Sequence, residues 1–109
     1  MANTFKLKTK ANVGVTTVGI YTAPAARTTV VIGITMANTS GSGVNVGVGI
    51  TRAGATEDVK LLKNAPVPQG SSLEFMAGNK IVLEATDTVT VDSDTNNSID
   101  AALTIMEIT

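Results

Sequence analysis

Val44-Asn45-Val46-Gly47-Val48-Gly49-Ile50-Thr51 alternates without a break. Val44, Val46, Val48 and Ile50 share one face, and Asn45, Gly47, Gly49 and Thr51 share the other. That period of two belongs to a β-strand. Two glycines on one face weaken an isolated strand. They are tolerated where a bend or a close-packed neighbour needs the room.

The same period extends in both directions. Upstream, Thr28 to Asn38 reads as a long strand, with Val30, Ile32, Ile34 and Met36 on one face and Val31, Gly33, Thr35 and Ala37 on the other. Thr39-Ser40-Gly41-Ser42-Gly43 is a turn by composition. Thr16 to Thr22 is a strand stopped at Ala23-Pro24-Ala25-Ala26, because Pro24 has no N–H for a ladder. Phe5-Lys6-Leu7-Lys8-Thr9-Lys10 alternates apolar and basic residues. It reads as a first strand at a sheet edge, where lysines discourage unwanted pairing. Residues 1–12 are therefore an edge strand or an N-terminal arm.

Downstream, Ala53-Gly54-Ala55-Thr56 is a turn and Asp58 to Asn64 a shorter strand or loop. Ala65-Pro66-Val67-Pro68-Gln69-Gly70 is a connection. Ser71 to Met76, Lys80 to Ala85 and Thr88 to Asp92 are strands, with a tight turn at Ala77-Gly78-Asn79. Ser93 to Ser98 is polar and turn-like, and Ile99 to Ile108 closes the chain. Eight to nine strands with turns every 8 to 12 residues or so are the mark of a sandwich or barrel. No segment has a helical period, so the crossover helices of a parallel sheet are missing. The expected fold is all-β, an antiparallel β-sandwich, with residues 1–109 as one domain.

The composition agrees. The chain has 109 residues, 43% hydrophobic and 16% charged, and aromatic residues make up only 3%, so small β-branched side chains must fill the core. Eight basic and nine acidic residues leave a net charge of −1. Without a basic stripe, nucleic acid binding through phosphates is not expected. The first residues lack the apolar core of a signal peptide. No apolar run approaches the ~20 residues of a membrane helix. A soluble protein made in the cytoplasm is expected.

Reactive groups are few. The chain has no His, Cys or Trp. Nucleophile–histidine constellations and the usual zinc sites therefore cannot be built. No phosphate-cradling glycine motif leads into a helix. The carboxylates fall in turns or on alternating polar positions, and no catalytic pair, cofactor or small-molecule substrate is assigned. One polar string stands out: Asp92, Asp94, Asn96, Ser98 and Asp100 place a side-chain oxygen at every second residue. Calcium takes several hard oxygen ligands at such spacing, which makes Asp92, Asp94, Asn96 and Asp100 the candidate calcium ligands. An EF-hand would require Gly at Asn97 and Glu at Leu103. The competing reading is a hairpin loop in which Asn96-Asn97 supply left-handed conformations. Glycan binding would need exposed rings, and only Phe5, Tyr21 and Phe75 are available. Phe75 reads as core. Tyr21 reads as a pin whose hydroxyl fixes a strand end.

The segment Ile20-Tyr21-Thr22-Ala23-Pro24-Ala25, running into Thr29-Val30-Val31-Ile32-Gly33-Ile34-Thr35-Met36-Ala37-Asn38-Thr39-Ser40-Gly41, resembles small virion proteins of tailed bacteriophages. Val67-Pro68-Gln69-Gly70-Ser71-Ser72-Leu73-Glu74-Phe75 is similar to a second step of those proteins. Ile81-Val82-Leu83-Glu84-Ala85-Thr86-Asp87-Thr88-Val89-Thr90-Val91 is similar to a third, with Thr86 where Gly is usual. The resemblance implies a jelly-roll-like capsid decoration (cement) protein. Such a protein would form a homotrimer, bind the phage major capsid protein and lie on the capsid surface. The alternative is a tail, baseplate or fibre component with an adhesion or glycan-binding role.

Overall fold

A computed structural model describes residues 3–52, 57–75 and 80–108, with Phe75 described by its backbone only. The turns expected at Ala53-Gly54-Ala55-Thr56 and Ala77-Gly78-Asn79, and the side chain of Phe75, lie outside the described residues. The strands are β1 (Asn3–Val13), β2 (Val18–Thr22), β3 (Thr28–Asn38), β4 (Val44–Thr51), β5 (Asp58–Val67), β6 (Ser72–Phe75), β7 (Ile81–Leu83), β8 (Thr88–Ser93) and β9 (Ile99–Ile108). Among the described residues there is no helix.

The pairing is nested. β1 pairs with β9, β2 with β8, β3 with β6 and β7, and β4 with β5, all antiparallel. Two more ladders, β3 with β9 and β4 with β8, complete two sheets. One has the order β1-β9-β3 with β6 and β7 in tandem along the far side of β3. The other has the order β2-β8-β4-β5. A long antiparallel hairpin rolled onto itself in this way is a jelly roll.

The inner faces meet in one cluster of buried Val, Ile, Leu, Ala and Met side chains. Val46, Val48 and Val91 enter it from one sheet. Ile34, Met36, Leu103 and Ile105 enter it from the other. Each such side chain contributes roughly 1.5–3 kcal/mol of transfer free energy. The expected alternation of β4 holds, and its glycines have a physical reason. β5 leaves register at Val46/Val48 and Val48/Gly49. There its carbonyls crowd the outer face of β4, so that a Cβ on Gly49 would lie 2.9 Å from the Val59 carbonyl oxygen.

Three expectations change. In β3 the register shifts between Val31 and Gly33. Val31, Ile34 and Met36 are buried, and Val30 and Ile32 lie on the outer face. A single phase along the strand fails because the bulge adds a residue at 32–33. β5 continues through Ala65-Pro66 to Val67. Pro66 is tolerated because β5 is an edge strand and needs donors on one side only. Finally, residues 93–98 do not form a hairpin, because β8 and β9 belong to different sheets. They turn the corner between the two layers.

Asn38, at the end of β3, is buried and holds the turn expected at 39–43. Its amide donates to the carbonyls of Ser42 and Val67 at 2.8 and 2.9 Å, and its oxygen accepts from the Ser40 backbone N–H at 2.9 Å. Thr86 adopts φ 66° at an exposed position. This is the left-handed conformation that glycine takes freely and a β-branched residue does not. Two substitutions should therefore move stability in opposite directions. Gly49→Ala should destabilise by about 1–3 kcal/mol through overpacking, and Thr86→Gly should stabilise by about 1 kcal/mol. Urea titration of the two variants beside wild type checks both signs.

Candidate functional site

The four oxygen-bearing residues proposed as calcium ligands each serve a different neighbour. Asp92 accepts from the Thr17 hydroxyl at 2.8 Å. Asp94 accepts from the Asn45 backbone N–H at 3.1 Å, Asn96 from the Val15 N–H at 3.4 Å, and Asp100 from the Asn12 N–H at 3.0 Å. Ser93 and Ser98 are buried and share a hydroxyl–hydroxyl bond of 2.6 Å. Among the described residues, no three Asp or Glu carboxylates are brought together. The loop's polar groups fasten it to β1, to the segment after β1 and to β4.

Sequence reasoning did not mark Glu107 as an inward residue. Ile99, Ala101, Leu103 and Ile105 point into the core, and the same alternation carries Glu107 inward, where it is 1% exposed. A buried carboxylate is costly unless charged or polar donors surround it. Here three do. The Tyr21 hydroxyl donates at 2.6 Å, Arg27 at 2.9 Å, and Lys6 reaches it at 3.0 Å. With the tyrosine proton directed to Glu107, the Thr29 hydroxyl donates to the Tyr21 oxygen at 2.9 Å. The cluster thus joins β1, β2, β3, β9 and the turn after β2, and so ties one sheet to the other. The Tyr21 hydrogen bond, with Lys6 and Arg27 beside it, holds Glu107 down at about 2 against the opposing effect of burial. Burial, with Glu107 adjacent, pushes the Tyr21 phenol up to about 12. Tyr21 is the strand-end pin that its sequence position suggested.

The Lys6 contact fixes the facing of β1. Lys6 lies opposite Ile105, on the inner side, so Phe5 and Leu7 point outward, opposite Met106 and Thr104. They are 68% and 64% exposed. β1 lies at the edge of its sheet, but Lys6 is not simply a solvated edge lysine. On the next ladders Met106 lies beside Val30, and Val30 beside Val82. Phe5, Met106, Val30 and Val82 therefore form a continuous apolar row across four strands on the outside of the sandwich.

A hollow of about 360 Å³ lies beside Ile50, Val59 and Ile81, with Arg52, Glu84 and Asp87 on its wall. Its charges are used internally: Arg52 donates to Asp87 at 3.1 Å and pairs with Glu84, and Asp87 accepts the Glu84 N–H at 3.0 Å. Among the described residues, every buried side-chain nitrogen and oxygen has a hydrogen-bond partner.

No family model and no curated protein matches the chain. Solved structures do, at the level of fold. A chain of the acid-stable capsid of Helicobacter pylori bacteriophage KHP30 aligns with TM-score 0.59 and 10% identity, over 98% of this chain and 87% of that one. A chain of infectious bursal disease virus, Gx strain, aligns with TM-score 0.56 and 12% identity, over 95% of this chain and 32% of that longer one. A chain from Bacillus endospore appendages, described as disulfide-linked pili, aligns with TM-score 0.54 and 18% identity, over 96% and 85%. The jelly-roll-like sandwich found here is thus a fold shared with proteins of virus particles and of pili.

The Glu107 cluster predicts a pH dependence. The folded value of about 2 lies below the ordinary 4.5. Its stabilisation is therefore complete above pH 4.5 and is lost as the pH falls toward 2. Melting curves of wild type and Glu107→Gln should differ most near pH 6, and the gap should narrow steadily below pH 4.5. A gap independent of pH across that window would show that the carboxylate charge contributes nothing.

Proposed function

We propose that this chain is a structural virion protein of the tailed-bacteriophage type: a capsid decoration (cement) protein that self-associates and binds the major capsid protein on the surface of the head. The likeness of fold to the phage capsid chain, over nearly the whole length of both, is the observation that carries this reading. The strand-and-turn resemblance of residues 20–41, 67–75 and 81–91 to small virion proteins supports it independently.

The physical character of the domain suits the role. A lattice component needs a stiff body, exposed surface that tolerates contact and no reactive groups. Buried polar side chains that, among the described residues, are all hydrogen-bonded make a well-specified body. A net charge of −1 gives copies little reason to repel one another. On this reading the protein has no catalytic role, is synthesised in the host cytoplasm and acts on the capsid surface. In a closed ring of copies, the trimer that the resemblance implies, each chain would use two different patches.

A tail, baseplate or fibre component with an adhesive or glycan-binding role is the second reading. It draws on one observation, the exposed ring of Phe5, on which a sugar face could stack.

Purified particles separated into heads and tails, then digested for mass spectrometry, test the two. Peptides of this chain should be found in the head fraction, in amounts comparable to the major capsid protein. Their absence from particles would overturn both readings, and their confinement to tails would favour the second.

A further inference from the structure

We infer that the outer face of the β1-β9-β3-β6/β7 sheet is a contact between two copies of this chain, packed sheet on sheet about a twofold axis. This contact is independent of whether the protein sits on a particle.

The face is built against the ordinary pattern. A monomer would gain by turning Phe5 and Leu7 inward and its lysines outward, since a one-residue shift of β1 exchanges the two faces. The ion pair of Lys6 with the buried Glu107 prevents that shift. Phe5 is left 68% exposed, Leu7 64% and Val82 58%. Between Phe5 and Val82 the row is filled by Met106 and Val30.

The face is also nearly free of charge. Among the described strand residues that point outward from this sheet, only Glu74 and Asp100 are ionised, and both lie toward the end away from the Phe5 row. A strongly charged partner would lose solvation here without gaining a counter-charge. An anionic lipid surface would find no Lys or Arg among the described strand residues of the face, only Lys80 at its margin just before β7. The matching occupant is another neutral, apolar, gently twisted sheet face, which a second copy supplies. Such faces pack about 10 Å apart with their strands nearly aligned.

The dimensions fit. Four strands about 4.8 Å apart and about 30 Å long present roughly 600 Å² per copy, or roughly 1,200 Å² for a pair, the lower bound for a specific interface. A twofold axis parallel to the strands, between β9 and β3, sets Phe5 of one copy over Val82 of the other and Met106 over Val30. A large ring then meets a small side chain. The same operation sets Glu74 opposite Thr9 and Asp100 opposite Ala37, so no acid faces an acid.

Light scattering and a cross-linking experiment test the contact. The wild type at high concentration should have the mass of two chains, or of six if a threefold contact coexists. Phe5→Lys, which alters an exposed side chain and leaves the core intact, should weaken pairing at least tenfold while its melting temperature as a dilute monomer stays unchanged. The chain has no cysteine, so single introduced thiols report cleanly. A short bis-maleimide should join a Phe5→Cys chain to a Val82→Cys chain far faster than it joins either to itself. A mass of one or three chains, a Phe5→Lys variant that pairs as wild type does, or cross-linking indifferent to the 5–82 combination would each overturn the inference.

Discussion

The Glu107 carboxylate is the constraint on which the rest of this structure depends. It is buried where the alternation of β9 would ordinarily place an aliphatic residue. A lone carboxylate there would cost several kcal/mol. The cost is offset only if Tyr21, Arg27 and Lys6 all reach it. These residues come from β2, from the turn after it and from β1. Meeting that single demand therefore fixes how the two sheets close at this end and how β1 faces. Arranged as ion pair and hydrogen bond, the demand selects one register among alternatives that hydrophobicity alone would leave close in energy.

The orientation of β1 links the core to the surface. With Lys6 inward, the apolar members of the Phe5-Lys6-Leu7-Lys8 alternation cannot serve the core and become surface. The outer side of this sheet is then apolar and nearly uncharged, while the polar loops of the other end hold their own backbone together. The Asp92–Asp100 segment belongs to this second group. Its regularly spaced oxygens look like a metal loop in sequence. In the fold they satisfy N–H and hydroxyl donors of the segments the loop passes. Such donors would otherwise be left without partners where the chain crosses between layers.

Much of the architecture was legible from side-chain period. The alternation of β4, the stop at Pro24 and the alternation of Ile99 to Ile108 all lead to strands where strands are found. The glycines at 47 and 49 signalled close packing, and the Val59 and Leu62 carbonyls are what they accommodate. Period could not locate the bulge at 32–33, because an inserted residue changes the phase without changing composition. Nor could it tell a hairpin at 93–98 from a corner between sheets, since both need the same polar, left-handed residues; Asn97 has φ 53° in the corner. Pro66 suggested a loop because the edge position that makes it harmless is a property of the tertiary pairing. Glu107 was legible in principle, as an acid in phase with Ile99 to Ile105. Its significance required knowing that Tyr21 and Lys6, 86 and 101 residues away in sequence, would stand beside it. The surface row of Phe5, Met106, Val30 and Val82 likewise exists only once three ladders are known.

The facing of β1 can be read from nuclear Overhauser contacts of the Phe5 ring. The chain has only two phenylalanines, so the ring is readily assigned. With Lys6 inward, the Phe5 ring should show contacts to the Met106 methyl group and the Lys6 methylenes to the Tyr21 ring, with none from Phe5 to Ile105 or Leu103. Contacts between the Phe5 ring and those core methyl groups would mean that β1 faces the other way, and would contradict both the Glu107 anchor and the apolar outer face built on it.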